Sequence, residues 1–295
     1  MTSSGDRRVR AGLIGSHIQA SLTPALHVRE GAEQGLEYRY DLFDLDTIAG
    51  GPLALGSLVS DAQKQGYAGL NITHPCKQTI LPLLDELSVD ARALGAVNTV
   101  VFDAGRKIGH NTDWWGFAES FRRGLPQVAL GHVVQLGAGG AGAAVAYAML
   151  KLGAKSLDIL DIESARMNGL VDTLERLFPS QRVSAVTDLA AAMSKADGLV
   201  HATTTGMAKN PGLPLRRELL TARQWVVEIV YFPLETELLK TARSIGCLTL
   251  DGGGMAVFQA VGAFRLFTGI TPDADRMGRH FDSLARKPAA FATAE

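Results

Sequence analysis

The sequence predicts an α/β protein of two domains. Three observations carry this. The chain has 295 residues, enough for two separate cores. Short β-like apolar runs alternate with helical patterns along its length. Its 32 glycines concentrate in turns between those runs, as tight strand-to-helix connections require.

In the first half, Val9–Ile14 reads as a strand and Pro24–Gln34 as a helix with proline in its first turn. Tyr38–Phe43 reads as a strand, Leu55–Gln65 as a helix and Gly69–Ile72 as a strand. Ala96–Phe102 and Lys107–Gly109 form a strand pair around the turn residues Asp103-Ala104-Gly105. The alternation implies a mostly parallel sheet. A second unit opens with a helix near Asp113 that ends at Leu125-Pro126. The strand His132–Leu136 runs into a glycine-rich turn and a small-residue helix, Ala143 to Leu152. Further strands are expected at Leu157–Leu160, Arg182–Ala185, Gly198–His201, Trp225–Val230 and Cys247–Leu250, with helices between them. Gly254 to Phe267 reads as a last apolar helix. No repeat of 20–50 residues and no low-complexity linker interrupts the pattern.

Composition excludes several classes. Hydrophobic residues make up 46% and the net charge is -1, so nothing points to nucleic acid or an acidic membrane surface. No apolar run approaches the roughly 20 residues that span a bilayer. The start has arginines followed by only a short apolar patch, Ala11 to Ile14, which reads as a frayed tail rather than a secretory signal. Cys76 and Cys247 lie far apart and form no CxxC, as expected of reduced thiols in a cytoplasmic protein. No HExxH or comparable cluster exists, so no metal is expected.

Gly137-x-Gly139-x-x-Gly142 matches the dinucleotide fingerprint, between an apolar strand and a helix. The first glycine makes the turn, the second lets backbone approach a pyrophosphate, and the third lets helix and strand pack closely. Ala138, Gly140 and Ala141 complete the loop. This context predicts a Rossmann domain, a doubly wound parallel sheet. Asp161, at the end of the next strand, can accept hydrogen bonds from the adenine ribose, which favours NAD and repels the 2′-phosphate of NADP. The alternative for Asp161 is a helix N-cap. Ile162 follows it rather than a basic residue. Arg166 can reach an adenine or phosphate, or stand solvated.

Polar residues gather where first-half strands end: Asn71 to Lys77, Gly95 to Thr99, and His110 to Asp113. Ligand groups collect at such strand ends in open α/β sheets. Each also has a plainer reading: Lys77 as a solvated lysine, Asp113 as an N-cap, Asn98 as a turn holder, His74 and His110 as packing or turn residues.

Together these segments resemble the shikimate dehydrogenase family. The matching stretches are Ser21-Leu22-Thr23-Pro24-x-x-His27, Asn71-Ile72-Thr73-x-Pro75-x-Lys77, Gly95-Ala96-Val97-Asn98-Thr99, Asn111-Thr112-Asp113, the glycine-rich loop, and Asp251-Gly252-Gly253-Gly254-Met255-x-x-x-Gln259-Ala260. They occur in family order over nearly the whole chain. The resemblance implies a substrate domain over residues 1–113 and 253–295, a Rossmann domain over 114–252, and a C-terminal helix returning to the substrate domain. It makes Lys77 and Asp113 the catalytic pair. An ammonium can donate to a ketone oxygen and a free amine can accept from a hydroxyl. Burial and a neighbouring carboxylate push an amine in opposite directions. Lys77 is therefore either a donor and electrostatic clamp or one half of a coupled pair. The resemblance further gives Ser21 and Thr23 to a substrate carboxylate, Thr73, Asn98 and Gln259 to ring hydroxyls, and Tyr231 to the carboxylate side. Thr203, Ile229 and Gly252 would line the cofactor.

Two departures matter. Many NADP-using members carry Ser-x-Ser-Pro where Thr23 stands here, and Asn-Arg where Asp161-Ile162 stands. Both departures, and Tyr231 to Leu239, look like the NAD-dependent quinate/shikimate dehydrogenase branch. His201 replaces the usual family asparagine. The implied activity is NAD-dependent oxidation of quinate, shikimate or both at the ring C3 hydroxyl to the 3-dehydro acid. The alternative is a biosynthetic enzyme reducing 3-dehydroshikimate with NADPH; a non-catalytic dinucleotide-sensing module would not need Lys77 and Asp113 together. The implied partners are the small-molecule substrates, with no nucleic acid, no membrane and room for a homodimer. A cleft between domains would open and close during turnover.

Overall fold

The computed structural model describes residues 8–285. The chain divides into two compact units, Met1–Thr112 with Val257–Glu295, and Asp113–Ala256.

In the first unit, β1 (Arg8–Gly15) is buried from Ala11 onward and lies inside the sheet, paired in parallel with β2 (Glu37–Asp44) and β3 (Gly69–Ile72). Helix α1 (Thr23–Glu33) carries the chain from β1 to β2, and α2 (Leu55–Lys64) from β2 to β3. Successive strand residues face opposite sides. Ile14, with Leu70, Ile72, Val59 and Val100, joins one core, while Ala11 and Leu13, with Tyr38 and Tyr40, join the other.

Short pieces follow β3: α3 (Cys76–Thr79), β4 (Glu86–Leu87) and α4 (Val89–Leu94). Ser88 caps α4 by accepting from the Ala91 amide at 3.2 Å, and Gly95 closes it in the left-handed conformation. Strands β5 (Thr99–Asp103) and β6 (Arg106–His110) complete a sheet of order β2-β1-β3-β5-β6-β4. This sheet is mixed, because β5 runs antiparallel to both β3 and β6. Ala104 and Gly105 both have positive φ, the geometry of a two-residue hairpin that returns the chain at once. The expected strand pair is therefore an antiparallel insertion into an otherwise parallel sheet.

The second unit begins with α5 (Asp113–Gly124) and continues β7 (Val133–Leu136), α6 (Gly140–Lys151), β8 (Ser156–Leu160), α7 (Ser164–Leu177), β9 (Arg182–Ala185), α8 (Leu189–Met193), β10 (Gly198–His201), β11 (Trp225–Glu228), α9 (Glu237–Ile245) and β12 (Leu248–Leu250). The sheet order is β12-β11-β10-β7-β8-β9, with every pair parallel. This is the doubly wound order, with its switch point between β7 and β10. Strands β7, β10 and β11 are buried at every residue, as helices on both faces require. Helix α6 starts at Gly140, three residues before the expected Ala143. Poor glycine propensity hides a turn that the loop geometry imposes.

Helix α10 (Gly253–Thr268) crosses from the second unit into the first. Its Ala263, Phe264 and Phe267 pack in the core with Ala11, Leu13, Tyr38 and Tyr40. Phe264 is fully buried and stacks on Tyr38 at 5.4 Å between ring centroids. Among the described residues the last helix is not α10 but α11 (Ala274–Ala285). Only Met277 and Phe281 of α11 are buried. Arg276 anchors it by donating to the buried Glu30 on α1 at 2.6 and 2.8 Å. Among the described residues no helix is long and apolar enough to cross a membrane.

Candidate active site

In the first unit, the carboxyl ends of β1 and β3 are stitched together. The Thr73 amide donates to Ile14 O at 2.9 Å, and the Ser16 amide to His74 O at 2.9 Å. Gly15 is required there, since a Cβ would lie 2.2 Å from Thr73 Cγ2. The loop after β1 turns at Ile18, whose carbonyl accepts from the Ser21 amide at 3.0 Å. Ser21 Oγ in turn accepts from the amide of Thr23, the first residue of α1, at 3.3 Å. Ser21, Thr23 and Thr73 are all half-buried and gather around this one loop system.

The Cys76 amide donates to Thr73 O at 2.8 Å, which starts α3 and carries Lys77, half-buried. Burial pushes the Cys76 thiol up, which makes it a packing residue rather than a nucleophile. Lys77 O accepts from the Val97 amide at 2.8 Å and Asn98 O from the Ile72 amide at 2.8 Å, so two of the three expected polar segments are joined. The third joins through Asn98, which is 5% exposed. Its Oδ1 accepts from the Thr112 amide at 2.7 Å and its Nδ2 donates to Thr112 Oγ1 at 2.9 Å. Tyr40, Asn71 and Thr99 extend this buried chain, through Tyr40 Oη to Asn71 Oδ1 at 2.8 Å and Asn71 Nδ2 to Thr99 Oγ1 at 3.0 Å. The turn-holding reading of Asn98 thus has direct contacts behind it. Burial pushes the His110 imidazole down, toward its neutral form. Gln259 is half-buried on α10, one helical repeat before Ala263 and on the same stripe.

The second unit holds the remaining expected residues. Gly137 has φ +100°, and a Cβ on it would meet Ala202 O at 2.5 Å; one on Gly142 would meet Gly137 O at 2.3 Å. These two glycines are demanded by the protein's own backbone. Gly139 is different: a Cβ there would find only Arg166 Nη1, at 3.9 Å. The middle glycine thus leaves an open approach, and Gly139, as N-cap of α6, brings no side chain to the helix amides. Ala138 is buried between them, and Gly140 and Ala141 form the first turn of α6. Open amides at a helix start suit a pyrophosphate. A residue that the sequence reading missed holds the loop. Gln135 Nε2 donates to Gly137 O and Gly142 O, each at 2.8 Å. Its signal was one polar residue inside the apolar strand Val133–Leu136.

Asp161 lies beside the loop. Its Oδ2 accepts from the Ala138 amide at 2.7 Å and its Oδ1 from the Glu163 amide at 2.8 Å. Arg166 is paired with Glu163 and lies 3.5 Å from Asp161 Oδ1, while Ile162 is 98% exposed. Beyond the switch point, Thr203 Oγ1 contacts His201 Nε2, and a Cβ on Gly252 would meet Ile229 O at 2.4 Å. Tyr231 is 43% exposed just after β11, and Asp113 is 2% exposed in the first turn of α5, where a helix favours a carboxylate. The residues thus fit a dinucleotide: a glycine cradle, helix-start amides and an acid at the second strand's end.

Comparison with known proteins points the same way. The family model for the shikimate dehydrogenase substrate binding domain matches residues 13–100. The NADP(+) shikimate dehydrogenase of Streptomyces avermitilis is 59% identical over 268 residues, 90% of this chain and 92% of that one. The NAD(+) quinate/shikimate dehydrogenase of Corynebacterium efficiens is 47% identical over 276 residues, 92% of this chain and 97% of that one. Among solved structures, quinate dehydrogenase from Corynebacterium glutamicum in complex with NAD superposes with a TM-score of 0.90 at 46% identity, covering 94% of this chain and 99% of that one. The relatives and the fold agree: the chain belongs to the shikimate dehydrogenase family of oxidoreductases.

Proposed function

We propose that this protein catalyses NAD-dependent oxidation of quinate, shikimate or both at the ring C3 hydroxyl, reversibly, to the 3-dehydro acid. The observation that carries the cofactor choice is local. Asp161 stands at the end of β8, bonded to the glycine-rich loop, and Ile162 beside it is apolar. The nearby cation, Arg166, is already paired with Glu163. Two carboxylates and an engaged arginine favour ribose hydroxyls over a 2′-phosphate. The named Corynebacterium relatives support this reading. The Streptomyces avermitilis relative, named for NADP(+), favours the second reading of an NADP enzyme. Arg166 would then have to leave Glu163 and serve the phosphate.

The nicotinamide dinucleotide, when bound, supplies the hydride acceptor. Gly137 to Ala141 would take its pyrophosphate, Asp161 and Arg166 its adenosine end, and Thr203, Ile229 and Gly252 its nicotinamide end. In this reading residues 1–113 and 253–295 serve the substrate and residues 114–252 the cofactor. Lys77 and Asp113 together take up the hydroxyl proton during oxidation and return it during reduction. Ser21 and Thr23 take the substrate carboxylate, with Tyr231 on the carboxylate side; Thr73, Asn98 and Gln259 take ring hydroxyls. A polyol that leaves one buried donor or acceptor unmatched loses about 1–3 kcal/mol, and such matching selects the ring.

Steady-state rates with NAD and NADP, on quinate and on shikimate, test the proposal. Faster turnover with NAD on at least one acid is expected. A strong preference for NADP would reject the cofactor choice, and no turnover of either acid would reject the substrates.

A further inference from the structure

A buried imidazole–carboxylate pair stands behind the cofactor-facing end of β10. His201 and Glu228 are both 0% exposed and opposite each other in the parallel register of β10 and β11. His201 Nδ1 lies 2.9 and 3.0 Å from the two Glu228 oxygens. Glu228 also accepts from the Val230 amide at 2.9 Å and the Thr236 hydroxyl at 3.1 Å. A carboxylate that accepts from all three places the Nδ1 proton on the imidazole, and leaves Nε2 for its other neighbour. That neighbour is Thr203 Oγ1, at 2.5 Å. The Thr205 amide also donates to Thr203 Oγ1, at 3.2 Å.

A hydroxyl has one proton and two lone pairs. With a neutral imidazole, Thr203 donates to Nε2 and accepts from Thr205, leaving one lone pair. With an imidazolium, both lone pairs are used and the proton is released outward. The protonation of His201 therefore decides whether Thr203 presents an acceptor or a donor. Asp161 on β8 marks the adenine side of the switch point, so β10 and β11 face the nicotinamide half.

We propose that His201, held by Glu228, is a positioning residue that sets the hydrogen-bonding sense of the Thr203 hydroxyl toward the nicotinamide half of the cofactor. This rests on the dinucleotide reading of the second unit. Glu228 is the charged group facing His201 from β11. On the other side, β7 offers Leu136 in register. On α9, Leu238 and Leu239 are buried, while Glu237, Lys240 and Arg243 are exposed.

The test is a double-mutant cycle on the NADH dissociation constant, measured without substrate, with Thr203→Val, His201→Asn and both together. Each single variant is expected to weaken binding about tenfold, the scale of one hydrogen bond. The double variant should be no weaker than the worse single, because His201 acts only through Thr203. Thr203→Ser should restore wild-type binding. The wild-type constant should depend on pH, and that dependence should vanish in Thr203→Val. Additive effects, or a pH dependence that survives in Thr203→Val, would overturn the proposal. If His201→Asn does not fold, the Thr203 variants and their pH profiles decide alone. If the wild type binds neither NADH nor NADPH, the dinucleotide reading itself fails; if it binds and Thr203→Val binds equally well, only the positioning role fails.

Discussion

Replacing Gly139 and Gly142 by alanine, one at a time, separates what the glycine-rich loop does for the fold from what it does for a ligand. At Gly142 the new Cβ would sit 2.3 Å from Gly137 O and 2.9 Å from Gly137 C. Neither atom can yield easily, since Gln135 bonds both glycine carbonyls and the Gly137 amide donates to Leu160 O at 2.8 Å. Relief needs a shift approaching an ångström in a packed turn, which costs about 1–3 kcal/mol. In a unit the size of Asp113–Ala256, that lowers Tm by roughly 3–10 °C. At Gly139 the backbone has φ -68° and ψ -174°, open to any residue, and no atom lies closer than 3.9 Å to the new Cβ. Gly139→Ala should therefore leave Tm unchanged within a degree or so, yet raise the NADH dissociation constant at least about tenfold by blocking close approach of the pyrophosphate. Differential scanning fluorimetry and NADH fluorescence titration on both variants supply the four numbers. Unchanged NADH affinity in Gly139→Ala would refute the loop as the pyrophosphate site. An unchanged Tm in Gly142→Ala would refute the packing argument.

Three further outcomes are expected. Lys77→Ala should lower turnover at least about a hundredfold while NADH binding persists; undiminished kcat would remove Lys77 from the chemistry. Arg276→Leu should destabilise the first unit by about 3 kcal/mol in urea melts, because it strands the buried Glu30 carboxylate. Burial pushes that carboxyl up, but Arg276, Gln34 and the Asp273 amide more than reverse it. Its stabilisation is therefore full above pH ~4.5 and lost as pH falls through the lowered value, and the variant should lack this loss. His27 is fully buried among Tyr38, Tyr40, Phe264 and Phe267, and burial drives it down to about 3. The unfolded chain takes up a proton near pH ~6.5 that the fold refuses, so stability is lost as pH falls below that value, by roughly 2 kcal/mol at pH 5. His27→Phe should flatten the urea midpoint between pH 5 and 7.5; an unchanged slope would place its origin elsewhere.

Local pattern determined the alternation of strands and helices, the glycine fingerprint with its acid at the next strand end, and the family motifs in order. Each depends on residues near one another in the chain, where periodicity and turn chemistry act directly. Hidden features were those set by partners far away. The antiparallel insertion of β5 depends on which edge its hairpin meets, and α11 holds through Arg276 to Glu30, 246 residues earlier. At the site, the sequence named Asn98 and Asp161 but not their bonds to Thr112 and Ala138. Gln135, Glu163 and Glu228 look like ordinary strand or loop residues until the fold gives each a partner. His201, a bare departure from family pattern in the sequence, became a buried link between Glu228 and Thr203 only in three dimensions. Apolar period and glycine geometry are legible along a chain, whereas the partner of a buried polar group is decided by packing.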